Sequence, residues 1–288
     1  MKATKKTVYE IVLEQILDQL EAGTIPWRKP WQSLGLPANA VSGKAYQGIN
    51  LLLLGFQSFP TPYWVTFKQA KGLGGSVRKG EKSSVVTFWK LLETVEDGQK
   101  KKIPLLRYYR VFNVAQCDGI KLPKHAQPVA PAEVLPVAAA DAIVEGWTDC
   151  PSIAHGGAQA YYRPSTDAIQ MPPREDFHSA DTYYSTLFHE MTHSTGHSAR
   201  LNRGLDSNPQ PFGSEDYSKE ELVAEFGAAF LSAHAGIDQS QIQNHAAYIQ
   251  GWVRKLKEQP KLLIQASGQA TKAAKLIMGE PSPEKGDS

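Results

Sequence analysis

Cysteine is scarce in this chain of 288 residues, where only Cys117 and Cys150 occur. Two cysteines without metal-type spacing exclude a disulfide framework and a cysteine-based zinc finger. Long hydrophobic runs are also absent, because the longest run near the start covers residues 51–56 and is far too short for a bilayer span. The start, MKATKKTVYEIVLEQILDQL, lacks the apolar core and the cleavage site of a signal peptide. We therefore expect a cytoplasmic protein with no membrane partner.

The net charge of +2 is small but unevenly distributed. Residues 1–123 hold 18 Lys/Arg and 9 Asp/Glu and carry +9, whereas residues 124–288 hold 13 Lys/Arg and 20 Asp/Glu and carry −7. A basic half joined to an acidic half indicates two domains with different partners, and the partner of the basic half is expected to be a polyanion. The stretch from Lys121 to Ala140 is rich in Pro and Ala, which is typical of a linker.

The periodicity of apolar residues predicts an α+β protein of two domains. We expect a basic first domain at 1–123, a linker at 124–137, an acidic second domain at 138–279 and a disordered tail at 280–288. Elements expected in the first domain are helices at about 7–22 and 48–57, a helix from about Thr66, and a hairpin of strands at 83–92 and 105–114. Elements expected in the second are a helix at 138–147, short strands at 158–163 and 168–171, helices capped by Asp181 and by Ser218, and a helix at about 241–258.

The stretch FHEMTHSTGH, at 188–197, contains two histidines four residues apart. On a helix that ends at Gly196, His189 and His193 lie on one face and can share a metal ion. Glu190 lies beside that face, where it can act as a general base toward a metal-bound water. The alternative is a helix that carries two structural histidines.

A catalytic zinc site needs a third protein ligand and an open position. One zinc-peptidase pattern places that ligand at Ala199, which cannot bind a metal. His197 follows the predicted end of the helix, so contact with substrate suits it better than ligation. Glu221, at the start of the next helix, is the stronger candidate, and Glu225 would orient a ligand histidine from behind. In the alternative reading, Glu221 caps its own helix through a capping box with Ser218.

Two further features fit a peptidase cleft. The strand pair at 161–171 precedes the metal helix and could offer its edge to an extended polypeptide. Tyr217 precedes the acidic helix and could donate a hydrogen bond to a developing oxyanion, although a packed tyrosine is the plainer interpretation. One divalent metal ion is expected, and a His/His/Glu set favours zinc while manganese or cobalt can also occupy such a site.

Aromatic residues are interleaved with basic ones in the first 123 residues, which hold 14 of the 27 aromatics. Unstacked bases can lie on aromatic rings while Lys and Arg contact phosphates, and no duplex-reading module is present, so a single-stranded nucleic acid is the expected partner. The predicted contacts with it are Trp27, Arg28, Lys29, Trp31, Lys44, Tyr46, Arg78, Lys79 and Lys82. Trp64, Phe67 and Trp89 lie in apolar patterns and are expected in the core. Trp27 and Trp31 lie in a Pro-rich loop and are expected to be partly exposed.

The order of several stretches resembles a known family. WRKPW, SGKAYQGIN and RKGEKSSVVTFWK are similar to the N-terminal domain of the ArdC antirestriction proteins of conjugative plasmids, and a related region begins certain plasmid primases. FHEMTHSTGH, RLNR and YSKEELVAEFGAAFL are similar to the zincin-like metallopeptidase domain of that family. The resemblance covers about residues 5–260 and places the metal residues at His189, Glu190, His193 and Glu221.

The resemblance implies a single-strand-binding domain joined to a metalloprotease-like domain, a layout similar to that of the Spartan-type proteases. It also implies protection of incoming plasmid DNA from restriction during conjugation, with a protein substrate on DNA or the restriction machinery as a further partner. Two functions stay open, since shielding of DNA requires no hydrolysis and the metal site could be idle or structural. A nuclease is disfavoured, because one His-Glu-His site lacks the carboxylates that hold two metal ions.

Overall fold

The computed structural model describes residues 6–28, 35–57, 59–96, 99–126, 136–206, 215–239 and 246–281, with backbone alone at 90–96, 99–104 and 215. In this part the protein is α+β, as predicted, and it has eight α-helices and three sheets. Its contacts divide it into two units. The described residues of the first unit lie within 6–16 and 36–126, and those of the second within 17–35 and 136–281.

The second unit therefore includes a segment, Leu17–Gly35, that the sequence analysis assigned to the DNA-binding domain. The division falls inside the first helix, α1, which spans Val8–Glu21. Most of the predicted linker and the tail from 282 onward lie outside the described residues, and the following helix begins at Pro136. No helix in the described ranges is long and apolar enough to cross a membrane.

The first unit is built around a four-stranded sheet. Its elements are β1 Ala38–Asn39, α2 Ile49–Gly55, β2 Tyr63–Thr66, α3 Phe67–Gly72, β3 Ser76–Val77, β4 Ser84–Glu96, β5 Gln99–Asn113 and β6 Cys117–Asp118. The strand order is β1-β2-β5-β4, in which only the β1–β2 pair is parallel, and β3 pairs separately with β6. The predicted hairpin is confirmed as β4–β5, and Thr66 caps α3 through a capping box with Gln69.

The edge strand β4 is partly closed by a side chain from α2. The amide of Asn50 accepts a hydrogen bond from Thr87 N–H at 2.7 Å and donates one to Thr87 C=O at 2.8 Å. Because an open strand edge can pair with another chain, this arrangement protects the ladder at that position.

The aromatic residues of the first unit divide differently from the prediction. Trp64 is buried at 2% exposure on the inner strand β2, as predicted. Phe67 and Trp89 are exposed by 51% and 52%, so their assignment to the core is wrong. β2 pairs with only the last residues of β5, and Trp89 lies on the part of the hairpin that extends beyond it as a two-stranded ribbon.

In its described residues the second unit contains five helices, α4 to α8, and a small three-stranded sheet. Its elements are α4 Pro136–Gly146, β7 Ser152–His155, β8 Tyr161–Arg163, β9 Ala168–Met171, α5 Ala180–Ser194, α6 Glu215–Ala235, α7 Ala246–Glu258 and α8 Leu262–Ile277. The strand order is β7-β9-β8, which leaves β8 as an edge strand beside β9. β7 and α8 were not predicted. The cap of α5 is Ser179 rather than Asp181, and α6 begins at Glu215, so Ser218 lies inside the helix instead of capping it.

Helices α5 and α6 approach each other closely at a glycine. A Cβ atom built on Gly227 of α6 would overlap the side chain of Thr192 on α5. Thr192 is fully buried, and its hydroxyl donates to Phe188 C=O at 2.7 Å. Only glycine leaves space for this contact, which holds the two helices that carry the metal residues side by side.

The segment that precedes the first unit's sheet contributes to the core of the second unit. Trp27 is fully buried, and its ring makes edge-to-face contacts with Phe226 on α6 at 5.2 Å and with Trp252 on α7 at 5.9 Å between centroids. The prediction that Trp27 is exposed and stacks on a base is therefore wrong. Charged residues follow Trp27 in the sequence, but its ring packs against helices about 200 residues away in the chain.

Candidate metal centre

Two helices bring together the three predicted ligands. Candidate ligand atoms of His189, His193 and Glu221 all lie within 4.8 Å of one another, and this is the one such His/Cys/Asp/Glu group found within the described ranges. The Nε2 atoms of the two histidines are 3.1 Å apart. Glu221 Oε2 lies 3.7 Å from His189 Nε2, and Glu221 Oε1 lies 3.6 Å from His193 Nε2.

These separations fit one divalent cation. Ligand atoms about 2.0–2.1 Å from a tetrahedral zinc lie roughly 3.4 Å from one another, which matches the three distances between the side chains. The alternative role of Glu221 as a helix cap is excluded, because Glu221 lies in the second turn of α6. The donor set of two imidazoles and one carboxylate therefore fits the metal that the sequence predicted.

The electrostatics of the cluster favour a cation. Burial lowers the pKa of His189, but the nearby carboxylates of Glu221, Glu190 and Glu225 outweigh it and raise that pKa to about 9. Burial raises the pKa of Glu221, and the neighbouring histidines outweigh it and lower that pKa to about 2. Several carboxylates thus surround the imidazoles, and a bound metal ion would balance their charge.

The predicted general base is held from the edge strand. Glu190 is buried at 8% exposure, and its Oε2 accepts a hydrogen bond from the backbone N–H of Tyr162 on β8 at 2.8 Å. This bond fixes the carboxylate beside His189 and leaves Oε1 as the atom that can receive a proton. The hydroxyl of Tyr162 in turn donates to Asp167 at 2.8 Å, which anchors β8 where it meets the site.

A carboxylate that the sequence analysis missed orients one ligand. His193 Nδ1–H donates to Glu220 Oε1 at 3.1 Å, and Arg203 binds both oxygens of Glu220 at 2.6 and 2.8 Å. Burial raises the pKa of Glu220, but Arg203 and His193 outweigh it, so the pKa lies below its ordinary value. The sequence does show two adjacent glutamates, Glu220 and Glu221. Glu221 lies beside Nε2 of His193, and Glu220 accepts the hydrogen bond from Nδ1 on the other side of the ring.

We expect Glu220→Gln to weaken metal binding by about 10- to 100-fold, because such second carboxylates raise the basicity of a ligand histidine and fix its ring. The measurement is a competition titration against a chromogenic chelator with zinc and with manganese. Glu258→Gln, an exposed acid on α7, is the matched control and should bind as the unaltered chain does. Unchanged affinity in Glu220→Gln would show that the His193 contact does not support ligation.

Glu225 has different partners from those predicted. Its Oε1 accepts from Arg28 Nη2 at 2.7 Å and from the Tyr248 hydroxyl at 2.6 Å, and Arg28 Nε lies 3.3 Å from Oε2. The guanidinium also lies over the Tyr248 ring, 4.5 Å from its centroid. The expected hydrogen bond to a ligand histidine is therefore made by Glu220, and Glu225 acts on His189 through its charge. Arg28 is therefore engaged by a carboxylate of the same unit, and its predicted contact with DNA stays a prediction.

Tyr217 lies one helical turn before Glu221, so the two side chains share a face of α6. Burial and the charge of Glu221 raise the pKa of the Tyr217 phenol to about 12, which keeps its proton available for donation. His197 lies outside the cluster: its Nε2 is 3.6 Å from Asp206 Oδ2, and its Nδ1 accepts from Ala199 N–H. Its predicted contact with substrate stays a prediction.

The remaining predicted DNA contacts belong to the first unit or lie outside the described residues. The side chains exposed on its loops are Lys44, Arg78, Lys79 and Lys82. Arg78 is also engaged internally, since it pairs with Glu81 at 2.8 Å and with Asp118 at 3.4 Å. Tyr46 is half-buried against the cluster that contains Trp64. Lys29 and Trp31 fall outside the described residues.

Comparison with known proteins identifies the family. A family model for the N-terminal domain of the anti-restriction factor ArdC matches residues 6–112, and a model for a zincin-like metallopeptidase matches residues 138–269. The crystal structure of the antirestriction protein ArdC from plasmid R388, in a metal-free state, is 40% identical, with a TM-score of 0.74 over 94% of this chain and 97% of that one. The chain belongs to the ArdC antirestriction family.

Further relatives include one much longer protein and two of similar length. A DNA primase, TraC, of Escherichia coli is 37% identical over 96% of this chain, but the chain spans only 28% of the primase. The uncharacterized protein y4eC of Sinorhizobium fredii (strain NBRC 101917 / NGR234) is 35% identical over 97% of this chain and 94% of its own length. The R388 ArdC protein also has a Mn(II)-bound crystal structure, 39% identical with a TM-score of 0.74 over 95% of this chain and 98% of that one.

Proposed function

We propose that this ArdC protein binds single-stranded DNA in the cytoplasm, carries a metal-dependent peptidase site, and protects incoming plasmid DNA from restriction during conjugation. The observation that carries the proposal is the convergence of His189, His193 and Glu221 next to a buried Glu190. The antirestriction part follows from membership of the family.

His189, His193 and Glu221 would hold the metal, which when bound would lower the pKa of a water and polarise a peptide carbonyl. Glu190 would take the proton of the attacking water at Oε1 and later pass it to the departing amine. Tyr217 would donate from its protonated hydroxyl to the carbonyl oxygen as negative charge develops there. Zinc suits a His/His/Glu set best, and the R388 relative's Mn(II) supports manganese as a second choice.

The substrate of the site would be a polypeptide strand. β8 is an edge strand whose Tyr162 N–H already bonds to Glu190, so a peptide lying along β8 would pass the general base. A tethered DNA-binding unit would restrict this activity to proteins on DNA, with the restriction machinery as one candidate target.

The DNA part of the proposal is tested with the full chain and a fluorescent oligonucleotide, single-stranded against duplex, across a salt series. We expect tighter binding to the single strand and a log–log salt slope of roughly −0.7 per phosphate contact, because the first 123 residues carry 18 Lys/Arg against 9 Asp/Glu. Equal affinity for the two forms, or binding that salt does not weaken, would contradict it.

A second function of a different class is a protein that shields DNA and whose metal site is idle or structural. The family's antirestriction character favours keeping this candidate, since covering a strand requires no hydrolysis. The Glu190 variant described in the Discussion separates the two candidates.

A further inference from the structure

An exposed aromatic residue marks one surface of the first unit. Trp89 is exposed by 52%, on the part of the β4–β5 ribbon that β2 does not reach. Indole is the largest ring that a protein can offer for stacking, and leaving half of it in water costs hydrophobic free energy. Exposed rings indicate a contact with another molecule when they lie together in one patch, so the neighbours of Trp89 decide what its exposure means.

The strand register places Trp89 with a tyrosine and an arginine. Cross-strand partners point to the same side of an antiparallel pair, and side chains alternate along each strand. Trp89 pairs with Leu106, so Tyr108 and Arg110 of β5 lie on the same side as Trp89. Arg110 is exposed, and its Nη1 donates to Ser83 Oγ at 3.0 Å. Among the side chains that the structure describes, no carboxylate pairs with this guanidinium.

Helix α3 lies on this same side of the sheet. Ala70 of α3 packs in one buried cluster with Val65 of β2, and Val65 pairs with Phe112, which shares its side with Arg110. The exposed surface of α3 carries Phe67, Lys68 and Lys71, and Lys71 Nζ lies 5.3 Å from the Phe67 ring centroid. We call the surface formed by Phe67, Lys68, Lys71, Trp89, Tyr108 and Arg110 the Trp89 face.

The opposite side of the sheet packs against α2. Val86 and Val111 are buried there in a cluster with Leu54 of α2. Tyr109 is also on that side and is exposed by 46%, but its ring packs edge-to-face on Phe88 at 6.1 Å. The Tyr109 ring thus already contacts another ring of the protein, whereas no ring partner of Trp89 occurs among the described residues.

We propose that the Trp89 face is the site that holds single-stranded DNA, and this rests on the single-strand binding proposed above. Bases stack on Trp89 and Phe67, while Lys68, Lys71 and Arg110 contact the phosphates. Three cations and three aromatic rings on one face match a polyanion whose bases are open for stacking. In a duplex the base faces are covered by their neighbours, so these rings would have nothing to stack on.

The test compares variants at matched positions on the two sides of the ribbon, in the full chain, with a fluorescent single-stranded oligonucleotide. Trp89→Ala is expected to weaken binding by about 5- to 150-fold, the loss typical of one stacked base. Tyr109→Ala, at similar exposure on the other side, is expected to change affinity less than twofold. Trp89→Phe keeps a stacking ring and is expected to restore most of the affinity.

The charged residues of the ribbon provide a second matched pair. Arg110→Ala is expected to weaken binding and reduce the salt slope by about one phosphate contact, whereas Arg107→Ala, exposed on the other side, leaves the slope unchanged. Thermal melts of all variants confirm the fold, which truncation of exposed side chains leaves intact.

The outcomes are distinguishable. Failure of the unaltered chain to bind a single strand overturns the proposed DNA binding, and this face with it. Normal single-strand binding by both Trp89→Ala and Arg110→Ala overturns the face alone. A larger loss in Tyr109→Ala than in Trp89→Ala assigns the DNA to the opposite side of the ribbon, and an equal loss of duplex and single-strand binding in Trp89→Ala overturns the single-strand preference of the face.

Discussion

Replacement of Glu190 by Gln is expected to lower peptide hydrolysis by about 10²- to 10⁴-fold, the contribution of a positioned general base. Glutamine is isosteric and its amide oxygen can still accept the Tyr162 N–H, so the local structure is retained. It cannot take a proton at neutral pH, and the loss would therefore fall on the rate of the chemical step rather than on binding. The measurement is cleavage of a denatured, DNA-bound protein pool by the metal-loaded chain.

Two controls make this result interpretable. Glu190→Gln should still bind the metal, because the three ligand side chains are unchanged. Glu175→Gln, an exposed acid of the same unit, should retain full activity.

The Glu190→Gln variant is then introduced into a plasmid, which is transferred by conjugation into a restricting host. Loss of protection indicates that hydrolysis is part of antirestriction, and full protection supports the shielding protein with an idle site.

Replacement of Arg28 by Ala is expected to destabilise the second unit by about 3–5 kcal/mol, because it leaves Glu225 buried without its cation. The side chains of Arg28 and Glu225 are only 15% and 13% exposed, so water screens the pair weakly. The Tyr248 hydroxyl alone would remain to bond the carboxylate. The measurement is the free energy of unfolding in urea, followed by tryptophan fluorescence.

The controls for Arg28 separate a lost ion pair from a general truncation effect. Arg254→Ala removes an exposed arginine from α7 of the same unit and is expected to change stability by less than about 0.5 kcal/mol. The double variant Arg28→Met with Glu225→Gln removes both charges and is expected to recover a large part of the loss. If Arg28→Ala were as stable as the unaltered chain, the ion pair would not hold the segment around Arg28 in place.

The metal motif was predictable because helical spacing alone places His189 and His193 together, and a second acidic helix supplies Glu221. Glu220 was missed, since sequence spacing does not reveal which of two adjacent glutamates faces a ligand ring. The DNA residues were harder still. Trp27 is buried and Trp89 is exposed, the reverse of the prediction, because burial depends on packing partners far away in the chain. Charged neighbours made Trp27 look exposed, and apolar neighbours made Trp89 look buried.

Trp27 and Arg28 pack against α6 and α7, so a segment near the start of the chain belongs to the second unit. Because this segment interrupts the first unit, neither unit is one continuous stretch of chain. Arg28 and Glu225 are separated by 197 positions, so during synthesis the early segment emerges long before its partners and must wait for them. The same dependence between distant segments limits recombination between relatives. A recombination event that exchanged only the residues after 130 between two relatives would supply Phe226 and Trp252 without the tryptophan that fits between them. We therefore expect productive exchange to move the whole chain, because exchange of residues 36–130 alone would in turn separate residues 6–16 from the rest of the first unit.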